Sequence, residues 1–160
     1  MSETVAIDLD SALGDTRPLW DAFLEDAARR FASIAELDPA ALPRDRAAAA
    51  DELDRWAAEG IGDWRKALER FAEDRAPVYL RPDARANAAV RRLKSAGRRI
   101  RIVTDAPEPL ARVALAHLGL TRAVDELVAG ARGGAADVVS SVDELRPASY
   151  ETRTPDSTSR

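Results

Sequence analysis

Thr4-Val5-Ala6-Ile7-Asp8-Leu9-Asp10 is the stretch on which the fold turns. A short apolar run near the start of the chain, broken by carboxylates at Asp8 and Asp10, reads as a buried strand that ends at a polar edge. Gly14-Asp15-Thr16-Arg17-Pro18 follows with turn residues and a helix cap, and then Trp20, Phe23, Leu24, Ala27 and Phe31 recur at helical spacing. A strand running through a turn into an amphipathic helix is the opening unit of an α/β protein.

Working outward, Asp38-Pro39 and Leu42-Pro43 punctuate the chain, and Leu53, Trp56 and Ala57 form a second apolar stripe that Gly60 ends. Asp63 caps a third helix bearing Trp64, Leu68 and Phe71. The 3 Trp and 3 Phe all fall between Trp20 and Phe71, which predicts a helical subdomain over 17–76 held by its own aromatic core. From Arg81-Pro82 helix and strand alternate: a helix over 86–96 ended by Gly97, a strand over 99–103, a helix over 107–118 ended by Gly119, and strands over 124–129 and 137–140. Alternation of this kind predicts a parallel sheet covered by helices, built from residues 1–16 and 77–146. The Ser-, Thr- and Pro-rich segment 147–160 is expected to be a disordered tail.

Composition narrows the chemistry. The chain of 160 residues has 24 Lys and Arg against 28 Asp and Glu, a net charge of -4, which supplies no basic field for nucleic-acid binding. With no Cys and one His, thiolate nucleophiles, disulfides and histidine-rich metal sites are excluded within one chain. No stretch approaches the roughly 20 apolar residues of a membrane span, and the start has no signal-peptide pattern, so a cytoplasmic protein without membrane partners is expected.

In an open parallel sheet ligands gather outside the carboxyl ends of the strands, where Asp8 and Asp10 fall. Two carboxylates there can hold a divalent cation or divide nucleophile and acid/base roles, although solvated strand-end charges are the commoner meaning of such a pair. A second strand, Ile100-Arg101-Ile102-Val103, ends in Thr104-Asp105-Ala106-Pro107. The Thr104 hydroxyl and the helix start beyond it could face a phosphate, or Thr104 could be an ordinary helix cap. His117, late in the following helix, and the Trp residues read as structural.

These residues together resemble the haloacid dehalogenase-like (HAD) superfamily, in particular its phosphoglycolate phosphatase-like branch. Asp8-Leu9-Asp10-Ser11-Ala12-Leu13-Gly14-Asp15-Thr16 is similar to the first motif, and the strand ending in Thr104 to the second. The aromatic block falls where relatives insert a helical cap. The resemblance implies a short Rossmann-like sheet and Mg²⁺-dependent hydrolysis of a small phosphate monoester. Asp8 would be the nucleophile, Asp10 the general acid/base, and Thr104 a phosphate ligand.

Departures from the family pattern are equally specific. Ser11 and Ala12 replace the usual Gly and Thr, and neither the Lys nor the Gly-Asp-x-x-x-Asp loop of the later motifs is evident after Gly130. If the last strand moves in beside the first, Arg132 could replace the Lys, and Asp143 or Glu144 could join Asp8 and Asp10 as metal ligands, with Asp105 in an outer shell. The alternative is a non-catalytic relative that binds a phosphorylated ligand or a protein partner.

Overall fold

The structure, a computed structural model, describes residues 3–35, 39–130, 138–139, 141 and 143–145. Arg132, the first and last residues of the strand expected over 137–140, and the segment 147–160 lie outside the described residues, as does the Phe31 side chain. In chain order the elements are β1 (Thr4–Asp8), α1 (Arg17–Ala35), α2 (Arg46–Trp56), α3 (Trp64–Tyr79), α4 (Ala84–Ser95), β2 (Arg99–Val103), α5 (Glu108–His117), β3 (Glu126–Val128) and β4 (Val138–Val139).

The four strands form one parallel sheet in the order β3-β2-β1-β4. Ile7, Ile100 and Ile102 are fully buried, as the central strands of a helix-covered sheet require. Pairing of Thr4 with Arg99 through Asp8 with Val103 brings β1 and β2 to the same edge together. The segments that leave them, one carrying Asp10 and the other Thr104, therefore emerge side by side. On the other side of β1, Ala6 pairs with Val138 and Ile7 with Val139, so the last strand does lie beside the first.

Local chemistry sets the element boundaries. Asp45, Asp63 and Asp83 each accept backbone N–H groups from the first turns of α2, α3 and α4, satisfying donors that have no helical partner. The Asp83 cap starts α4 at Ala84, two residues ahead of the sequence expectation. β3 is shorter than the expected 124–129, because Asp125 turns its carboxylate to the Ile100 N–H at 2.8 Å and to Lys94 at 2.5 Å.

Trp20 packs edge-on against Trp64 with ring centroids 6.4 Å apart, and Phe23 against Phe71 at 5.8 Å, so the aromatic block is held by ring contacts. Those rings are continuous with the sheet's core: Ile7, Leu9, Ile102, Leu110, Trp20, Phe23, Leu53, Trp64 and Leu68 belong to one buried cluster. The join is made by α3, which packs along α5. His117 at the end of α5 faces the Leu80 carbonyl at 2.9 Å, a structural contact.

Candidate active site

β1 hands its chain directly to a five-residue π-turn, Leu9–Leu13, with Asp8 at its N-cap. The turn separates the two carboxylates. Asp8 Oδ1 accepts from the Ser11 N–H at 2.8 Å and from the Ser11 hydroxyl at 2.9 Å, and the side chain remains partly exposed. Ser11, which stands where the resemblance expects Gly, thus orients the first carboxylate with both its main chain and its side chain.

Asp10 points into the interior, its side chain 10% exposed. Its Oδ1 accepts from the Thr16 N–H at 2.9 Å and the Thr16 hydroxyl at 2.5 Å. Its Oδ2 accepts from the Thr104 hydroxyl at 2.8 Å and from Arg46 Nη2 at 2.8 Å. Four donors fill the roughly four lone-pair positions of one carboxylate. Thr104 is buried, and its oxygen also accepts the Ala106 N–H at 3.1 Å, but it is not the cap of α5, whose N-cap is Pro107 with no side-chain cap bond.

Arg46 is the residue that sequence reasoning missed. It opens α2 yet is 4% exposed. Its Nη1 donates to the Thr16 hydroxyl at 2.7 Å, its Nη2 to Asp10 and to Asp105 Oδ1 at 2.8 and 2.5 Å, and its Nε to Asp105 at 3.2 Å. Burial opposes the guanidinium charge, but hydrogen bonding to Asp105 and the fields of Asp10 and Asp105 outweigh it and raise its pKa. The signal was present: Arg46, Ala49, Leu53 and Trp56 share the buried face of α2 at helical spacing. An arginine on an apolar stripe calls for carboxylate partners. Thr16, in the stretch expected to supply turn residues and a cap, gives its hydroxyl to Asp10.

Asp143 is not brought to the pair. It opens a 3-10 turn, Asp143–Leu145, and its carboxylate faces Arg85 at 3.4 Å with both side chains largely exposed. Glu144 engages Ser141 instead, accepting its hydroxyl at 3.3 Å. The expected ligand set of Asp8, Asp10 and Asp143 is therefore not assembled, and among the described residues no three His, Cys, Asp or Glu side chains group as a metal site. With the second oxygen of Asp10 held by a guanidinium, the described donor set does not fit Mg²⁺. A cavity of about 270 Å³ opens beside the cluster, lined by Ala47, Asp51, Arg65, Asp105, Glu108 and Gly130 among others.

A carboxylate pair at the carboxyl edge of a parallel sheet, a hydroxyl from the neighbouring strand and a helical block inserted between the two define an α/β protein with an acid-centred site. The chain belongs to the haloacid dehalogenase-like hydrolase family, whose model matches residues 3–151. Among curated proteins none matches it. A HAD phosphatase from Thermococcus onnurineus is 19% identical with a TM-score of 0.49, covering 79% of this chain and 61% of its own. A protein assigned as a beta-phosphoglucomutase from Thermotoga maritima is 21% identical with a TM-score of 0.47, covering 82% and 64%. The L-2-haloacid dehalogenase of Xanthobacter autotrophicus is 17% identical with a TM-score of 0.42, covering 81% and 57%. The chain thus spans about three fifths of the length of these solved structures. Among the described residues no helix is long and apolar enough to cross a membrane.

Proposed function

We propose that this HAD-like hydrolase acts on a small phosphate monoester, with residues 17–76 as the cap over the site. The observation behind this reading is the β1–β2 register, which sets Asp8, Asp10 and Thr104 at one edge, with Thr104 Oγ1 2.8 Å from Asp10 Oδ2. Ser11 holds Asp8 Oδ1, so Oδ2 is the oxygen that attacks phosphorus. The P–O bond to the alcohol breaks as the Asp8 O–P bond forms; the monoanion of the substrate brings one proton, which Asp10 takes up once Arg46 and Thr104 have turned away from it and passes to the leaving oxygen. Water then attacks the aspartyl phosphate, losing its proton to Asp10, and inorganic phosphate departs. Thr104 and Arg46 turn from Asp10 to the phosphoryl oxygens, supplying charge-assisted donors where negative charge is concentrated.

No step in this scheme is routed through Mg²⁺, which the resemblance implies and the described donors do not fit; the cation enters the test as a separate variable. Hydrolysis of an aryl phosphate is measured for wild type and Asp8→Asn, each with and without Mg²⁺. Loss of at least about a hundredfold in Asp8→Asn under the condition where wild type turns over supports the proposal. Equal background rates in all four conditions remove it.

One observation favours the second reading, a non-catalytic relative that binds a phosphorylated ligand or a protein partner. Every acceptor position of Asp10 is filled, which leaves neither of its oxygens free to give or take a proton. Under that reading Asp8→Asn leaves ligand affinity unchanged and there is no turnover to lose.

A further inference from the structure

We infer that the Arg46 guanidinium is the resident cation of the site: it fills the place between Asp10 and Asp105 that a divalent metal ion would need, so the site balances its acids and meets an anion without one. The sheet makes such a charge necessary. β1 and β2 end in register, and the segments beyond them bring Asp10 and Asp105 to one edge. Two carboxylates so placed repel each other and call for a positive charge between them. Arg46 Nη2 is on both, donating to Asp10 Oδ2 at 2.8 Å and to Asp105 Oδ1 at 2.5 Å. Its Nε donates to the same Asp105 oxygen at 3.2 Å and its Nη1 to the Thr16 hydroxyl at 2.7 Å, so all three nitrogens are engaged.

The charge is built in. Arg46 is carried by α2, which Ala49, Leu53 and Trp56 hold in the common core and Asp54 ties to Trp64 and Arg65 of α3. A metal ion would have to displace a buried, fully engaged side chain. Mg²⁺ also demands a near-octahedral set of oxygens at about 2.1 Å. Asp10 offers it none, since Oδ1 takes both Thr16 donors and Oδ2 takes Thr104 and Arg46. What the guanidinium does for a phosphate rests on the hydrolase reading: whether Nη2 faces Asp10 or a phosphoryl oxygen, one positive charge stays in the site, and a planar fork suits phosphate geometry. The competition with metal does not rest on it.

Metal and phosphate binding to the full chain test this apart from turnover. Mn²⁺, followed by electron paramagnetic resonance as a stand-in for Mg²⁺, should be bound equally weakly by wild type and Asp8→Asn. Orthophosphate affinity of wild type, from calorimetric titration, should agree within about twofold in EDTA and in Mg²⁺. Arg46→Gln, with its fold checked by circular dichroism, should bind orthophosphate about tenfold more weakly in both, the loss of a charge-assisted donor. Mn²⁺ binding that falls in Asp8→Asn, or orthophosphate binding that Mg²⁺ tightens about tenfold, overturns the resident cation. Neither of those measurements needs Arg46→Gln to fold. Orthophosphate binding unchanged in a folded Arg46→Gln overturns it too. The hydrolase reading fails separately: no aryl phosphate hydrolysis by wild type, with Mn²⁺ binding as expected, leaves the cation standing, and hydrolysis that requires Mg²⁺ overturns the cation while the enzyme stands.

Discussion

Arg46 joins stability to the proposed chemistry in one side chain. Its charge is buried and matched by Asp10 and Asp105, so removing it leaves a carboxylate unpaired in the interior. Arg46→Gln should lower unfolding free energy by about 3 kcal/mol in urea titration, the usual cost of breaking a buried pair from one side. A loss below about 1 kcal/mol would mean that Asp10 is satisfied without it. The acids of this site were legible from Asp8-Leu9-Asp10, because a carboxylate pair at the end of an apolar run is a local pattern. Arg46 was not read as part of it because its partners lie 36 and 59 residues away. Its one local trace is a charge on the buried stripe of α2, set in a run of alanines.

At the scale of elements, α2 and α3 are tied by Asp54, which accepts from the Trp64 indole at 2.8 Å and pairs with both terminal nitrogens of Arg65. Those donors, Arg65 foremost, hold the Asp54 carboxyl below the ordinary carboxylate range. A carboxyl with a depressed folded pKa stabilises the fold above its unfolded pKa, and that contribution disappears as pH falls through the folded value. Asp54→Asn should therefore melt lower than wild type at neutral pH, with the gap closing in acid as pH falls through the depressed folded value. Because the pair is half exposed, the gap is a few degrees at most; a gap that persists in acid would assign it to the indole contact. Gly14 makes a different kind of tie. A Cβ there would sit 2.9 Å from Leu118 Cδ1, so Gly14→Ala should cost about 1 kcal/mol, read as a lower melting temperature, unless the leucine rotates away. Helices and central strands were legible because caps and periodicity are local. The shortening of β3 and the saturation of Asp10 were not, since both come from contacts between elements.

For the whole molecule, the decisive feature is that the aromatic block and the sheet share one buried cluster. All 3 Trp lie in the helical block, so fluorescence reports that block while far-ultraviolet dichroism reports every helix and strand. The two signals should give coincident thermal transitions. Leu68→Ala, in the α3 face shared with α5, should shift both together by about 3 kcal/mol. Separate transitions would mean that the block folds by itself, as the clustering of rings in the sequence alone suggests.

The proposed nucleophile is Asp8, at the edge of that sheet. Rapid acid quench of the protein with an aryl phosphate, followed by peptide mass analysis, tests it directly. A phosphoryl group on the peptide containing Asp8 in wild type, and none in Asp8→Asn, is the predicted result. Wild-type peptide unmodified above the Asp8→Asn background would contradict it.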